Sequence, residues 1–195
     1  MPYMGSKNNI VDPICLNFHK AENFYDLFGG GCSVTHYMLL HKNLFYKNFF
    51  YNEINSNVVK FLKEILNGKY DSKTFKQEWI SRETFEERKD LDAYISLIWS
   101  FGNNQKNYLY GKDKESIQQS IHNAIVFENF NQIAKEFLKI DCWPKSVKTP
   151  LQRTYYLMQR VNYDNKKIGK KFESSFYRPV QITSLQRIKN LQRLN

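Results

Sequence analysis

The sequence predicts an α/β fold, with a partial Rossmann-like sheet at the N-terminal end followed by a mainly helical region. Three observations carry that prediction. Asn23-Phe-Tyr-Asp-Leu-Phe-Gly-Gly-Gly-Cys-Ser-Val34 sets a short apolar run before three glycines. Residues from Phe45 onward form a second apolar run, which ends in Glu53, 22 positions after Gly31. Later apolar residues recur mostly at helical spacing. A glycine turn after one strand, with an acid closing the next about 20 residues on, is the doubly wound nucleotide-binding layout. The glycines let the backbone approach a ligand closely, and the acid accepts hydrogen bonds from ribose hydroxyls.

The elements follow in order. Asn8 to His19 suits a first helix, interrupted early by Pro13. Phe24 to Phe28 reads as the first strand, and Ser33 as the cap of a helix through His41 that presents Val34, Tyr37, Met38 and His41 on one face. The second strand spans Phe45 to Asn52. Asn55 caps an amphipathic helix through Leu66, built on Val58, Val59, Phe61, Leu62, Ile65 and Leu66, and Gly68 ends it. Residues 71–100 read as helical, 101–113 as a loop rich in Asn, Gly and Tyr, and 114–138 as helical again. Pro144 and Pro150 mark a hinge, Leu151 to Tyr163 one more helix, and Lys166 to Lys171 a mobile basic loop. Leu185-Gln-Arg-Ile-Lys-Asn190 and Leu191-Gln-Arg-Leu-Asn195 form a two-copy repeat, too short for a solenoid.

Composition narrows the function. A chain of 195 residues is long enough for a substantial core. No apolar run approaches a membrane span and no signal peptide opens the chain, so a membrane partner is not expected. Cys15, Cys32 and Cys142 stand far apart, which argues against a disulfide framework and for a reducing cytoplasm. Neither they nor the four histidines have metal-ligand spacing, so no metal is expected. The net charge of +10 is localised: residues 1–144 are neutral in sum, and residues 145–195 carry 12 Lys and Arg against Asp164 and Glu173. Tyr155, Tyr156, Tyr163, Phe172, Phe176 and Tyr177 interleave with that charge. A solvated basic tail is the plain reading, but basic groups among aromatics suit phosphate contact with base stacking.

Three motifs stand in order: Tyr3-Met-Gly-Ser-Lys7, Asp26-Leu-Phe-Gly-Gly-Gly31 and Asn52-Glu-Ile-Asn55. A fourth, Ser100-Phe-Gly-Asn-Asn-Gln-Lys-Asn-Tyr-Leu-Tyr-Gly111, follows. Together, over roughly residues 1–130, they resemble the Dam-type adenine-specific DNA methyltransferases. The resemblance implies a partial Rossmann-like methyltransferase sheet with a mainly helical DNA-recognition region, S-adenosylmethionine as cofactor, and double-stranded DNA as partner. It puts Tyr3, Gly5, Lys7, Asp26, Phe28, Gly29, Gly30, Gly31, Cys32 and Glu53 at the cofactor. Tyr3 would pack on it, Lys7 would meet its carboxylate or a partner acid, and Asp26 would lie by its methionine end. Cys32 reads as a turn residue, since nothing supports cysteine catalysis. The fourth motif resembles the family's DNA-contacting loop. Asn103 and Asn104 could be simple turn formers, but their amides also suit adenine edges, and the resemblance implies DNA contacts from them and from Lys106, Tyr108, Tyr110 and Lys112. The basic segment adds Lys166, Lys167, Lys170, Lys171 and Arg178.

One departure matters more than these matches. The family's catalytic tetrapeptide, Asp-Pro-Pro-Tyr or a close variant, is missing, and the chain has no Pro-Pro dipeptide at all. Asp12-Pro13 and Trp143-Pro144 have the wrong neighbours. The expectation is therefore a fragment or truncated homologue: residues 1–68 for the cofactor, 69–183 for DNA recognition, and 184–195 the start of a return toward the catalytic half. Such a chain would be inactive alone and would tend to self-associate through an incomplete sheet edge. A non-catalytic DNA-binding module with a degenerate methyltransferase fold is the alternative. A nicotinamide-dependent dehydrogenase is disfavoured by the basic-aromatic tail, by the opening Tyr-x-Gly-x-Lys segment and by the lack of a proton-relay His or Tyr-x-x-x-Lys pair.

Overall fold

A computed structural model describes residues 4–70 and 77–168, the last eight of these as backbone only. They form two compact units, one of residues 4–70 and 82–109, the other of residues 77–81 and 110–168.

The first unit opens with α1 (Val11–Leu16), β1 (Asn23–Asp26), α2 (Ser33–His41) and β2 (Asn48–Tyr51). β1 and β2 pair in parallel, with Asn23 opposite Asn48 and Asp26 opposite Tyr51. Alternation places Phe24 and Phe49 on one face. There they pack with Cys15, Met38 and Tyr46, and with Val11, Ile14, Val34 and Tyr37 of α1 and α2. The other face shows Tyr25 stacked on Phe50, centroids 4.7 Å apart, and both rings are exposed. Both strands are shorter than their apolar runs, because Asn43–Phe45 forms a 3-10 turn and Leu27 and Phe28 already belong to the turn after β1. Among the described residues the sheet has these two strands. The protein is thus a mixed, largely helical α/β chain with a small parallel sheet.

α3 (Ser56–Leu66) starts as its sequence requires: Asn55 Oδ1 accepts from the backbone N–H of Asn57 and Val58. Its Val58, Phe61, Leu62 and Ile65 are buried, whereas Leu66 faces out, and Gly68 follows with φ +77. The helical reading of 71–100 resolves in part into two short helices, α4 (Arg82–Arg88) and α5 (Ala93–Ile98). Asp92 caps α5, and every residue of α5 is buried. α3 and α4 pack against α5, with edge contacts and stacks among Phe61, Tyr70 and Tyr94.

The second unit holds α6 (Glu115–Phe127), α7 (Gln132–Leu138) and α8 (Pro150–Ile168). The expected single helix over 114–138 breaks at Glu128, which is left-handed with φ 59, and Asn131 then caps α7 by accepting from Ala134 N–H at 2.8 Å. Ile121, Ala124, Ile125, Leu138, Trp143 and Leu157 form its core. Arg153 is buried there. It donates to the carbonyls of Ile125 and Lys148, each at 2.8 Å, and to the Glu128 carboxylate. Pro150 opens α8 instead of breaking the chain, as suits a residue with no N–H to donate at a first helical position. The helix reaches Ile168, so Lys166 and Lys167 lie on its backbone and not in the basic loop expected there. No helix among the described residues is long and apolar enough to cross a membrane.

Candidate functional site

The carboxyl ends of β1 and β2 bring the glycine turn and the acid together. Glu53 Oε2 accepts the Gly30 N–H at 2.7 Å, and Oε1 accepts the Asn55 N–H at 2.9 Å. The turn is fixed from both strands: Gly29 N–H donates to the Asn52 carbonyl at 2.9 Å, and Cys32 N–H to the Gly29 carbonyl at 2.8 Å. Gly29 must be glycine, since a Cβ there would overlap the Tyr51 ring. The Tyr51 hydroxyl in turn donates to the Gly30 carbonyl at 2.6 Å. Gly30 needs its freedom for another reason, a φ of +48.

Asp26, at the end of β1, accepts from the Thr35 hydroxyl at 2.6 Å, which explains a buried threonine on α2. The helix N-cap is Cys32, left-handed at φ 62, and it makes no side-chain cap bond. The Ser33 hydroxyl, expected to cap, instead pairs with the Ser6 hydroxyl at 3.0 Å. That contact ties the opening Gly5-Ser6-Lys7 segment to the start of α2. Burial pushes the Cys32 thiol up to about 11, so it is no nucleophile at neutral pH. Lys7 is exposed and its Nζ donates to the Gly5 carbonyl at 3.0 Å. Tyr3 lies outside the described residues.

Two large apolar side chains stand in the open, one at the start of the glycine turn and one directly after the acid. Phe28 is 93% exposed and Ile54 99%. Ile54 and Glu53 also line a groove of about 460 Å³ running along α3 past Val59 and Lys63. The sequence reading named Phe28 and missed Ile54, whose signal was an apolar residue directly after a strand-end acid. Among the described residues no cluster of His, Cys, Asp and Glu could hold a metal ion.

The fourth motif is divided. Residues 100–109 belong to the first unit, and Tyr110 and Lys112 to the second. Ser100 and Tyr108 form an antiparallel bridge, and between them Gly102, Asn103 and Gln105 all have positive φ, at 59, 58 and 63. Asn103 Nδ2 donates to the Leu97 carbonyl at 2.8 Å, and Asn104 Oδ1 accepts from the N–H of Lys106 and Asn107. The two asparagines thus shape the loop. Tyr108 corrects the sequence reading. It is 5% exposed, packed on Phe85 and under the Arg82 guanidinium, so its ring is not offered for stacking. What the loop does present is Phe101, 66% exposed, and Lys106. In the second unit Tyr110 stacks on Trp79, centroids 5.4 Å apart, and Lys112 is exposed. Lys170, Lys171 and Arg178, like the terminal repeat, lie outside the described residues.

Gln105 links the loop to the acid. Its Oε1 accepts from Asn55 Nδ2 at 3.1 Å, and its N–H donates to the Ser100 hydroxyl at 2.9 Å. Asn55 is the same residue whose N–H holds Glu53.

No curated protein and no solved structure matches this chain. A family model does, over residues 3–192. That span takes in the glycine turn, Glu53 and the loop, and the chain belongs to the D12 class N6 adenine-specific DNA methyltransferases.

Proposed function

We infer that this chain binds S-adenosylmethionine at the carboxyl ends of β1 and β2 and binds double-stranded DNA, in the service of adenine methylation. The observation that carries the cofactor reading is the Glu53 carboxylate, fixed by the N–H groups of Gly30 and Asn55. Each of its oxygens takes one backbone donor and keeps a further lone pair for a ribose hydroxyl. Ile54 next to it, and Phe28 at the start of the glycine turn, offer bare apolar surface for a flat ring. These residues fit a nucleoside. The cofactor's sulfonium methyl supplies the transferable group. Asp26, braced by Thr35, is the remaining acid at the strand ends. Residues 1–68 would serve the cofactor and residues 69–183 the DNA, through Phe101 and Lys106 of the loop, Lys112, and the basic segment with Lys166, Lys167, Lys170, Lys171 and Arg178. Spaced, unpaired cysteines suit the cytoplasm.

The exocyclic amine of adenine is a weak nucleophile, because its lone pair is delocalised into the ring. Transfer needs an acceptor for that amine's protons and a wall that holds the extruded base. No Asp-Pro-Pro-aromatic stands in the sequence to supply them. Residues 1–195 alone are therefore expected to bind and not to transfer. The same omission supports the second reading, a DNA-binding module without catalysis. The two-stranded sheet and the exposed Tyr25–Phe50 face also suit self-association, to be read as a sedimentation mass that rises with concentration.

The test uses methyl-labelled S-adenosylmethionine and duplex DNA. Ultraviolet crosslinking should leave label on the protein, with none on adenine. Labelled adenine would overturn the inactivity. DNA binding without any crosslinked cofactor would favour the module.

A further inference from the structure

We propose that Gln105 is a positioning residue that couples the loop of residues 100–108 to the carboxylate of Glu53, so that DNA on the loop raises the affinity for S-adenosylmethionine. The proposal rests on the cofactor and DNA reading given above. Three features support it. The first is a continuous path of hydrogen bonds within one unit: Ser100 Oγ to Gln105 N–H at 2.9 Å, Gln105 Oε1 to Asn55 Nδ2 at 3.1 Å, and Asn55 N–H to Glu53 Oε1 at 2.9 Å. Asn55 is held at both ends of its side-chain amide. Its side-chain oxygen is taken by the first turn of α3 and its amide nitrogen by Gln105. Gln105 therefore acts on the residue whose backbone N–H is one of the two that hold the acid.

The second feature is strain. Gln105 holds φ +63, a region that glutamine seldom occupies, next to Asn103 at φ +58. A non-glycine residue held there is strained and persists only where its surroundings over-determine it. Relaxing that backbone would withdraw the Gln105 acceptor from Asn55 Nδ2 and leave the Asn55 side chain held by its cap bonds alone. The third feature is exposure. Phe101 and Lys106, the loop's outward groups, flank the strained residues. A duplex resting on them would hold the loop in the conformation that keeps Gln105 on Asn55.

Coupling between two sites is a free energy and must be measured as one. The affinity of the 195-residue chain for S-adenosylhomocysteine is measured by calorimetry with and without saturating duplex DNA, for wild type, Gln105→Leu and Gln105→Glu. Leucine keeps the bulk and loses the acceptor; glutamate keeps an acceptor for Asn55 Nδ2. DNA should tighten wild-type binding at least about fivefold, the low end of ordinary coupling. The gain should fall below twofold in Gln105→Leu and persist in Gln105→Glu, with thermal midpoints recorded for all three. A fold role alone would lower the midpoint and leave the DNA-dependent ratio intact, and that ratio in Gln105→Leu would overturn the proposal. A wild-type chain that binds the cofactor product with no response to DNA would also overturn it and leave the cofactor reading standing. A chain that does not bind the product would remove both.

Discussion

The Gly30 N–H donates to Glu53 Oε2 at 2.7 Å, so the glycine turn after the first strand and the acid after the second hold one another in place. The acid therefore has a folding role of its own, apart from any ligand. Glu53→Ala strips the acceptor from two partly buried N–H groups. Each such donor left bare costs about 1–3 kcal/mol. The urea midpoint should fall clearly in Glu53→Ala and less in Glu53→Gln, which keeps one carbonyl acceptor. Equal midpoints for wild type and alanine would mean that the two bonds add nothing to stability.

Gly29→Ala tests the turn from its other side. The added methyl meets the Tyr51 ring, and relieving that clash breaks the 2.6 Å bond from the Tyr51 hydroxyl to the Gly30 carbonyl. Overpacking of this kind costs about 1–3 kcal/mol. Combining it with Tyr51→Ala should recover part of the loss, because the obstructing ring is gone. No recovery would place the strain elsewhere in the turn.

The sequence was most legible where one residue's chemistry settles one local structure. The three glycines, Glu53 and the Asn55 cap are of this kind, since a backbone turn, a strand-end acid and a helix start each demand few residue types. It was less legible where tertiary contacts decide. Ser33 has the composition of a helix cap, yet Cys32 holds that position and the Ser33 hydroxyl turns to Ser6, 27 residues away. Tyr108 reads like its neighbours Tyr110 and Lys106, but the bridge to Ser100 turns it toward Phe85. Nothing in the spacing of Asn55 and Gln105, 50 residues apart, announces their contact. The helical pattern of 114–138 runs through Glu128 without a break, because a glutamate gives no sign of the left-handed turn it adopts there.

The second unit should weaken in mild acid through His122. Its Nε2 lies 3.0 Å from the Gln77 carbonyl, to which it donates, and Trp79 and Phe127 meet its ring edge-on. Burial holds its pKa below the usual 6.5, against the smaller opposing pull of the Gln77 hydrogen bond. The unfolded chain takes up that proton near pH 6.5 and the folded chain only at lower pH. The His122 contribution is thus fully present above 6.5 and lost as pH falls from there toward the folded pKa. The denaturant midpoint should drop between pH 7.5 and 5.5, and His122→Gln should flatten the drop. An identical pH profile in the variant would assign the acid sensitivity to other groups.

Binding to DNA should depend steeply on salt. The net positive charge of the chain sits in residues 145–195, and each phosphate neutralised there releases condensed counterions. Reversing Lys166, Lys167 and Lys170 together should make the slope of log affinity against log salt shallower by roughly 2 to 3. The loss should be similar for unrelated duplex sequences, since phosphates carry no sequence information. An unchanged slope would leave the basic segment as a solubility device.

The most direct test of the cofactor site is a calorimetric titration with S-adenosylhomocysteine of wild type, Glu53→Ala and Glu53→Gln, with nicotinamide adenine dinucleotide as the competing nucleotide. The wild-type chain should bind the homocysteine product and not the dinucleotide. Glu53→Ala should lose at least tenfold in affinity, about 1.4 kcal/mol, with Glu53→Gln between the two. Equal affinities for wild type and Glu53→Ala, or a preference for the dinucleotide, would contradict the cofactor reading.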